Sequence, residues 1–351
     1  MQVDSERIGR YVRAAGRWAR LAVSRPPREG VHLFYGHDRI PGPGEPARGG
    51  TAKFQRLAER FPNEPVSFNV LYLGSSWLPR DVGPLLRLAR RRRIPVVVNQ
   101  NGVGYPAWAG GRAEEVNRPL GAALRAAAHV LYQSEFCKTS ADRFLGEPVG
   151  SWEILPNAVD VDRFAPAEEP PAGGPVLLLG GDQSQGDYRL DLALRTFRLV
   201  RDRHPEARLV VTGEIGGPRD LGDGVQLVGR YSQADAPRLF RSAHVLLHTQ
   251  MNDSCPSVVL EAMACGLPVV HPASGGTVEL VGDVGGIDVP HEGDWERLVP
   301  PSAEAMAEAV EKVLGALDFY SRGARQRAVE RFALGPWLER HAALLAELTT
   351  G

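Results

Sequence analysis

The chain has 351 residues, 43% of them apolar, and a formal charge of −1. That length exceeds what one hydrophobic core usually supports, so two domains are expected, and the apolar content excludes a disordered chain. The balanced charge gives no general pull towards nucleic acid.

Three cysteines, Cys137, Cys255 and Cys265, are odd in number and lack metal-ligand spacing. They fit a reducing, cytoplasmic compartment, and neither a metal nor another cofactor is called for. At the start of the chain, Ile8, Tyr11, Val12, Ala15, Trp18, Ala19 and Ala22 recur at helical spacing, with Arg10, Arg13, Arg17 and Arg20 as a second stripe. No apolar run approaches the roughly 20 residues of a membrane span, and no cleavable signal is expected. This basic amphipathic segment, residues 1–30, leaves two readings open. One is a helix packed across the protein with solvated arginines; the other is peripheral contact of residues 1–25 with an anionic membrane surface at the inner face.

Apolar runs at 31–35, 66–73, 95–99, 129–133 and 152–155 then alternate with helix-like segments. That alternation predicts a parallel sheet of βαβ units over residues 31–160. The first run leads through a Gly/Pro-rich loop, 41–50, into a helical segment from Thr51. Arg90 to Arg93 close another helical segment before Pro95, where cations favour the helix C-terminus, solvated or turned to an acceptor. Asn99-Gln100-Asn101-Gly102 ends the third strand and Gln133-Ser134 the fourth, so both loops are placed to line a cleft. Beyond them, Tyr105 and Trp108 either stack on a sugar ring or cap the core.

Residues 161–174, rich in Pro and Glu, read as a linker. A second set of runs, 176–180, 208–212, 225–228, 244–249, 268–271 and 286–289, predicts a second α/β domain over 175–330, followed by a C-terminal helix, 337–351. Gly180 and Gly213 end two of these strands, as needed where backbone approaches a ligand closely, and Gly229-Arg230-Tyr231 follows a third.

The stretch 244–270 is the most informative. A buried strand gives way to the polar loop Gln250 to Ser254, then Pro256 leads as a first helical residue into a helix over 257–265, which Gly266 ends. Glu261 lies four residues beyond Ser257 and shares its face. A helix start offers free N–H groups and a positive dipole end to phosphate, and an ionised carboxylate can accept from two neighbouring hydroxyls. Together they suggest a nucleoside diphosphate, against the alternative of a solvated glutamate in an ordinary helix.

Asp253 and Glu261, separated by seven residues, and the run from Glu261 through Ala-Met-Ala-Cys-Gly-Leu-Pro-Val to Val270 resemble the signature of retaining GT-B glycosyltransferases of the family-four type. Leu155-Pro-Asn-Ala-Val-Asp-Val-Asp-Arg-Phe164 resembles their interdomain connection, with Ala158 for the usual glycine. The resemblance implies an α/β GT-B fold, two Rossmann-like domains facing a cleft, with the acceptor on the first, the nucleotide sugar on the second, and the C-terminal helix returning to the first. It puts Glu261 on the ribose, Asp253 on the donor sugar and the Ser257 and Val258 amides on the diphosphate. Gly49-Gly50, Gly180-Gly181 and Gly213 would approach the donor closely, Arg230 would edge the base, and Gly275-Gly276 would lie near the donor sugar.

This sequence also departs from the family. Asn101 stands where a histidine usually lies near the reacting sugar, and an amide can hydrogen-bond a sugar but cannot supply a proton. Asp253 is one methylene shorter than the usual Glu, and Pro256, which has no N–H, replaces a glycine. Gly181 and Tyr188 occupy the places of the Arg and Lys that balance the diphosphate, and no lysine lies between Lys138 and Lys312. Arg189 is the nearest substitute. Charge-assisted hydrogen bonds contribute about 1.5–3 kcal/mol each, so two lost and unreplaced would weaken donor binding by at least about a hundredfold.

The expected activity is a metal-independent, hexosyl-type transfer from a nucleotide-diphosphate sugar, with retention, to an acceptor sugar, lipid-linked glycan or small molecule. Two alternatives stay open: a non-catalytic GT-B protein that holds a nucleotide sugar or a partner enzyme, which the missing cations and Asn101 favour, and a sugar-nucleotide epimerase.

Overall fold

The computed structural model describes residues 16–42, 45, 49–169, 171–183 and 187–350. Its strands form two all-parallel sheets. The first comprises β1 (Leu33–Phe34), β2 (Val70–Gly74), β3 (Val96–Gln100), β4 (His129–Tyr132) and β5 (Ser151–Ile154), side by side in chain order. The second comprises β6 (Val176–Leu179), β7 (Arg208–Thr212), β8 (Val225–Gly229), β9 (Val245–Leu247), β10 (Val269–Pro272) and β11 (Gly286–Val289), in the order β11-β10-β9-β6-β7-β8. Central strand β6, Val-Leu-Leu-Leu, is buried on both faces, which is why it reads as an unbroken apolar run, and β3 is buried throughout although it ends in Asn99 and Gln100.

Helices cover both faces of each sheet. In the first half these are α1 (residues 16–23), α2 (Gly49–Arg60), α3 (Val82–Arg92), α4 (Pro106–Ala109), α5 (Ala113–Ala126) and α6 (Glu135–Leu145). The second half carries α7 (Asp187–Arg203), α8 (Ala236–Arg241), α9 (Ser257–Ala264), α10 (Thr277–Gly285), α11 (Ala303–Gly315) and α12 (Leu317–Phe332). A final helix, α13 (Leu334–Thr350), packs Trp337, Leu344 and Leu345 against Phe54, Tyr72 and Leu131 in the core of the first half.

The chain therefore crosses between the halves twice, at 155–164 and at 332–334. The crossings lie side by side: Val159 N–H donates to Phe332 O (2.8 Å), and Leu334 N–H donates to Val159 O (3.0 Å). A third tie is Trp295, which stacks on Phe136 at 4.9 Å between ring centres and meets Tyr105 and Phe144 edge-on.

The N-terminal segment differs from its expected stripe. Arg17 and Leu21 are buried, whereas Ala19 and Ala22 are exposed. Arg17 pairs with Asp38 (2.9 Å) and Asp81, and the Trp18 indole N–H donates to Asp81 (2.9 Å), so solvation of the arginines fails at Arg17. Ion pairing buries that charge, which apolar periodicity does not register. Arg92 likewise turns from solvent to donate to Leu21 O and Ser24 Oγ at the end of α1. Ile8, Arg10, Tyr11, Val12, Arg13 and Ala15 lie outside the described residues. Among the described residues no helix is long and apolar enough to cross a membrane.

Candidate active site

In the second sheet the strand order reverses between β6 and β9, and open parallel sheets bind ligands outside the strand ends at such a switch point. The loop after β6 holds Gly180 to Gln183; the loop after β9 holds Gln250 to Pro256 and feeds α9. The two meet closely, since a Cβ at Gly180 would strike Val258 Cγ2. Gly213 and Gly181 pack backbone on backbone in the same way, and Gly275 and Gly276 press against the backbone of Asp253 and Ser254. Gly276 N–H donates to Asp253 O (2.8 Å). These glycines thus have a packing reason as well as the ligand reason read from sequence.

Pro256, with φ −67°, is the residue just ahead of α9 rather than its first helical one, and no side chain caps that end. The amides of Val259 and Leu260 donate to Pro256 O (3.1 and 3.4 Å), which leaves those of Ser257 and Val258 ahead of the helix ladder. Two carboxyls flank this start. Asp253, half-buried, accepts from Cys255 N–H (3.3 Å); burial pushes its carboxyl up to about 6, against the pull of Arg189. Glu261 is buried, burial raises it to about 7, and the opposing charges are Arg56 and Arg163. Arg56 comes within 3.8 Å of Glu261 from the other half of the molecule.

The remaining sequence candidates are distributed unevenly. Arg189 donates to Gln250 Oε1 (2.8 Å), so it lies against the loop that carries Asp253. Tyr188 accepts from Met251 N–H (3.2 Å), giving a structural use to the position of the expected lysine. Arg230 is exposed and pairs with Glu214 at 2.9 Å, whereas the next residue, Tyr231, packs on the second core near enough to Glu261 for the two to interact. Asn101 is held by Ser75, whose Oγ accepts its backbone N–H (2.9 Å) and donates to its Oδ1. Tyr105 is buried in the first core and Trp108 is exposed, so the two aromatics share neither expected role. Gly49 opens α2, and Gly50 leaves room for Ser76, where a Cβ would clash.

Sequence reasoning missed Lys53 and Arg56 as site residues, and it placed Asn99 and Gln133 only on cleft loops and Asn157 only in the connection between the halves. Lys53 is buried and donates to Asn99 Oδ1 (2.6 Å), which also accepts from Gln133 Nε2 (2.7 Å). Asn157 Nδ2 then donates to Gln133 Oε1 (3.1 Å) and to Cys255 O (3.0 Å), one residue before Pro256. In the other direction Asn99 Nδ2 reaches Tyr72 OH (3.3 Å), which is bonded to His341 of α13 (2.9 Å). One polar chain thus runs from α13 through the first sheet to the loop ahead of α9. Lys53, Arg56, Asn157 and Ser257 line a crevice between α2 and α9, too tight in this structure to admit water. A signal was available: Lys53 is one of only three lysines in the chain and follows Gly49-Gly50 directly into a helix. Among the described residues no group of three or more His, Cys, Asp or Glu side chains could hold a metal ion.

Residues 174–316 match the family model described as Glycosyl transferases group 1. The chain is similar to a phosphatidylinositol N-acetylglucosaminyltransferase subunit from Arabidopsis thaliana, 25% identical over 175 residues that cover 47% of this chain and 36% of that protein. It is also similar to the D-inositol 3-phosphate glycosyltransferase of Arthrobacter sp. (strain FB24), 32% identical over 152 residues, 37% of this chain and 36% of that one. The chain spans little more than a third of the length of these two curated relatives. Among solved structures, HepE of Anabaena in complex with UDP-glucose superposes with a TM-score of 0.67 at 14% identity, over 91% of this chain and 100% of that one.

Proposed function

We propose that the chain moves a hexosyl group from a nucleoside-diphosphate sugar to an acceptor hydroxyl with retention of anomeric configuration, a reading supported by the match of residues 174–316 to the glycosyl transferases group 1 model and by the GT-B fold shared with HepE. The observation that carries this reading is the position of the Asp253 to Glu261 segment at the switch point, with an uncapped helix start between two buried or half-buried carboxyls. The Ser257 and Val258 amides hold the diphosphate and stabilise the charge that develops as it leaves, a role that a helix start performs without a metal. Glu261, beside Arg56, accepts from the ribose diol through its carboxyl oxygens. Asp253 accepts from hydroxyls of the donor sugar, and Asn101 offers an amide to the same ring from the first half.

The acceptor binds on the first half, residues 31–160. The inositol-based acceptors in the relatives' names make inositol phosphates and phosphatidylinositol the first class to screen, ahead of lipid-linked glycans. The test is turnover: each of the UDP-, GDP- and ADP-hexoses with each acceptor, with nucleotide release followed by phosphate chemistry and the product's anomeric configuration by proton NMR. One donor should be consumed only when acceptor is present, giving the donor's own anomer. Inverted product overturns retention, and conversion of donor without acceptor supports an epimerase instead. A second reading, a non-catalytic nucleotide-sugar-binding protein, draws on Tyr188 and Gly181 standing where diphosphate cations are usual. Tight nucleotide binding without turnover on any acceptor would support it.

A further inference from the structure

The diphosphate at the α9 start needs cations, and the second half supplies few: Gly181 and Tyr188 are neutral, Arg230 is exposed on Glu214, and Arg189 lies against Gln250. The first half brings two. Lys53 and Arg56 are three residues apart, neighbours on one face of α2, and both line the crevice against Ser257. Lys53 is an unusual residue to bury. Among the described residues its one hydrogen bond goes to a neutral amide oxygen, that of Asn99, so its charge is desolvated without a carboxylate to balance it. The ammonium is held down to about 8 by that burial. An unbalanced buried ammonium is costly unless an anion completes it. Arg56 sits on Ala158 O and beside Glu261, one turn into α9.

We propose that Lys53 and Arg56 of α2 are the diphosphate-binding cations of this protein, supplied across the cleft by the first half in place of the pair missing from the second. This rests on the donor-binding reading above. In the closed crevice of this structure the two cations are held on protein acceptors, Asn99 Oδ1 and Ala158 O. When the halves part to admit the donor, the phosphate oxygens take over those hydrogen bonds, and Arg56 bridges Glu261 and the diphosphate. Donor binding thereby depends on both halves, since the helix start lies on one and the cations on the other. Arg56 can chelate two phosphate oxygens through its planar fork, whereas Lys53 acts as a point charge.

The experiment is calorimetric titration of the full chain with UDP, GDP, dTDP, CDP and ADP, and with the parent nucleosides by competition. It uses the wild type, Lys53→Met, Lys53→Arg, Arg56→Met and Glu261→Ala, with thermal unfolding of each to check the fold. The nucleoside diphosphate that the wild type binds should bind at least tenfold more weakly to Lys53→Met and to Arg56→Met. The nucleoside should change by less than twofold, and Lys53→Arg should keep most of the affinity. Should Lys53→Met fail to fold, Arg56→Met and Lys53→Arg carry the test. Equal losses for nucleoside and diphosphate would mean that the two residues only support the fold, and would overturn the inference. Wild-type binding that Glu261→Ala weakens but neither cation variant does would overturn it alone, leaving the donor reading in place. No binding of any diphosphate by the wild type would overturn both.

Discussion

The starts of α6 and α9 occupy comparable places in the two halves, each after a parallel strand and a polar loop, yet they are finished differently. At α6 the protein supplies its own anion. Ser134 Oγ accepts from Cys137 N–H (3.0 Å), and the Glu279 carboxylate, reaching over from α10, accepts from the N–H groups of Glu135 and Phe136, both at 2.8 Å. At α9 a proline precedes the helix, no side chain caps it, and the amides of Ser257 and Val258 stand ahead of the ladder. One helix start is tied to the other half by Glu279, and the other carries no side-chain cap. The same glycine pair serves both, because Gly275-Gly276 packs on Asp253 and Ser254 and leads directly into the helix that bears Glu279.

Giving α9 the finish of α6 should abolish the difference. Ser257→Glu places a carboxylate where the diphosphate is expected, and nucleoside-diphosphate affinity should fall by about a hundredfold or more, read by calorimetry. Unchanged affinity would mean the phosphates bind elsewhere. Removing the finish of α6 is the converse. Glu279→Gln exchanges two charge-assisted bonds for weaker ones and should cost about 1–3 kcal/mol in urea unfolding, with looser halves seen as faster amide exchange at Glu135 and Phe136.

A pH series sharpens the contrast between a filled and an unfilled site. Glu261 binds its proton more tightly in the folded chain, near 7 against an ordinary value of 4.5. The native state therefore holds more protons than the unfolded chain between those values, and the group's favourable contribution, complete below about 4.5, is lost as pH rises through 7. Glu261→Gln should thus match the wild type at pH 4 and exceed its stability at pH 8 by about 1–3 kcal/mol. A smaller effect is expected at the packing contact behind the site. Gly180→Ala forces a Cβ onto Val258 and should cost about 1–2 kcal/mol while weakening nucleotide binding a fewfold.

The fold was largely legible in the sequence because a parallel sheet covered on both faces writes its inner strands as apolar runs; the edge strands β5 and β8, more exposed and mixed in composition, leave a weaker trace. The α9 segment was legible for a related reason: its strand, loop, helix and closing glycine are consecutive. What stayed hidden depends on contacts between distant parts of the chain. Arg56 meets Glu261 across 205 positions, and Glu279 reaches Phe136 across 143. Neither pairing leaves a periodic trace. Neither reading of the arginine stripe anticipated the burial of Arg17, which is decided by Asp38 and Asp81 and not by its neighbours in α1. Arg230 pairs with Glu214 and the neighbouring Tyr231 packs on the core of the second half, another pattern that spacing along the chain does not encode.

The central claim is that the α9 start and Glu261 form a nucleoside-diphosphate site, and calorimetric titration of the wild type and Glu261→Ala with the five common nucleoside diphosphates tests it most directly. One nucleotide should bind in the micromolar range, and the loss of the carboxylate should weaken it by about 1–3 kcal/mol, a factor of roughly 5–150. Millimolar binding of every nucleotide by the wild type, or equal binding by the variant, would contradict the account.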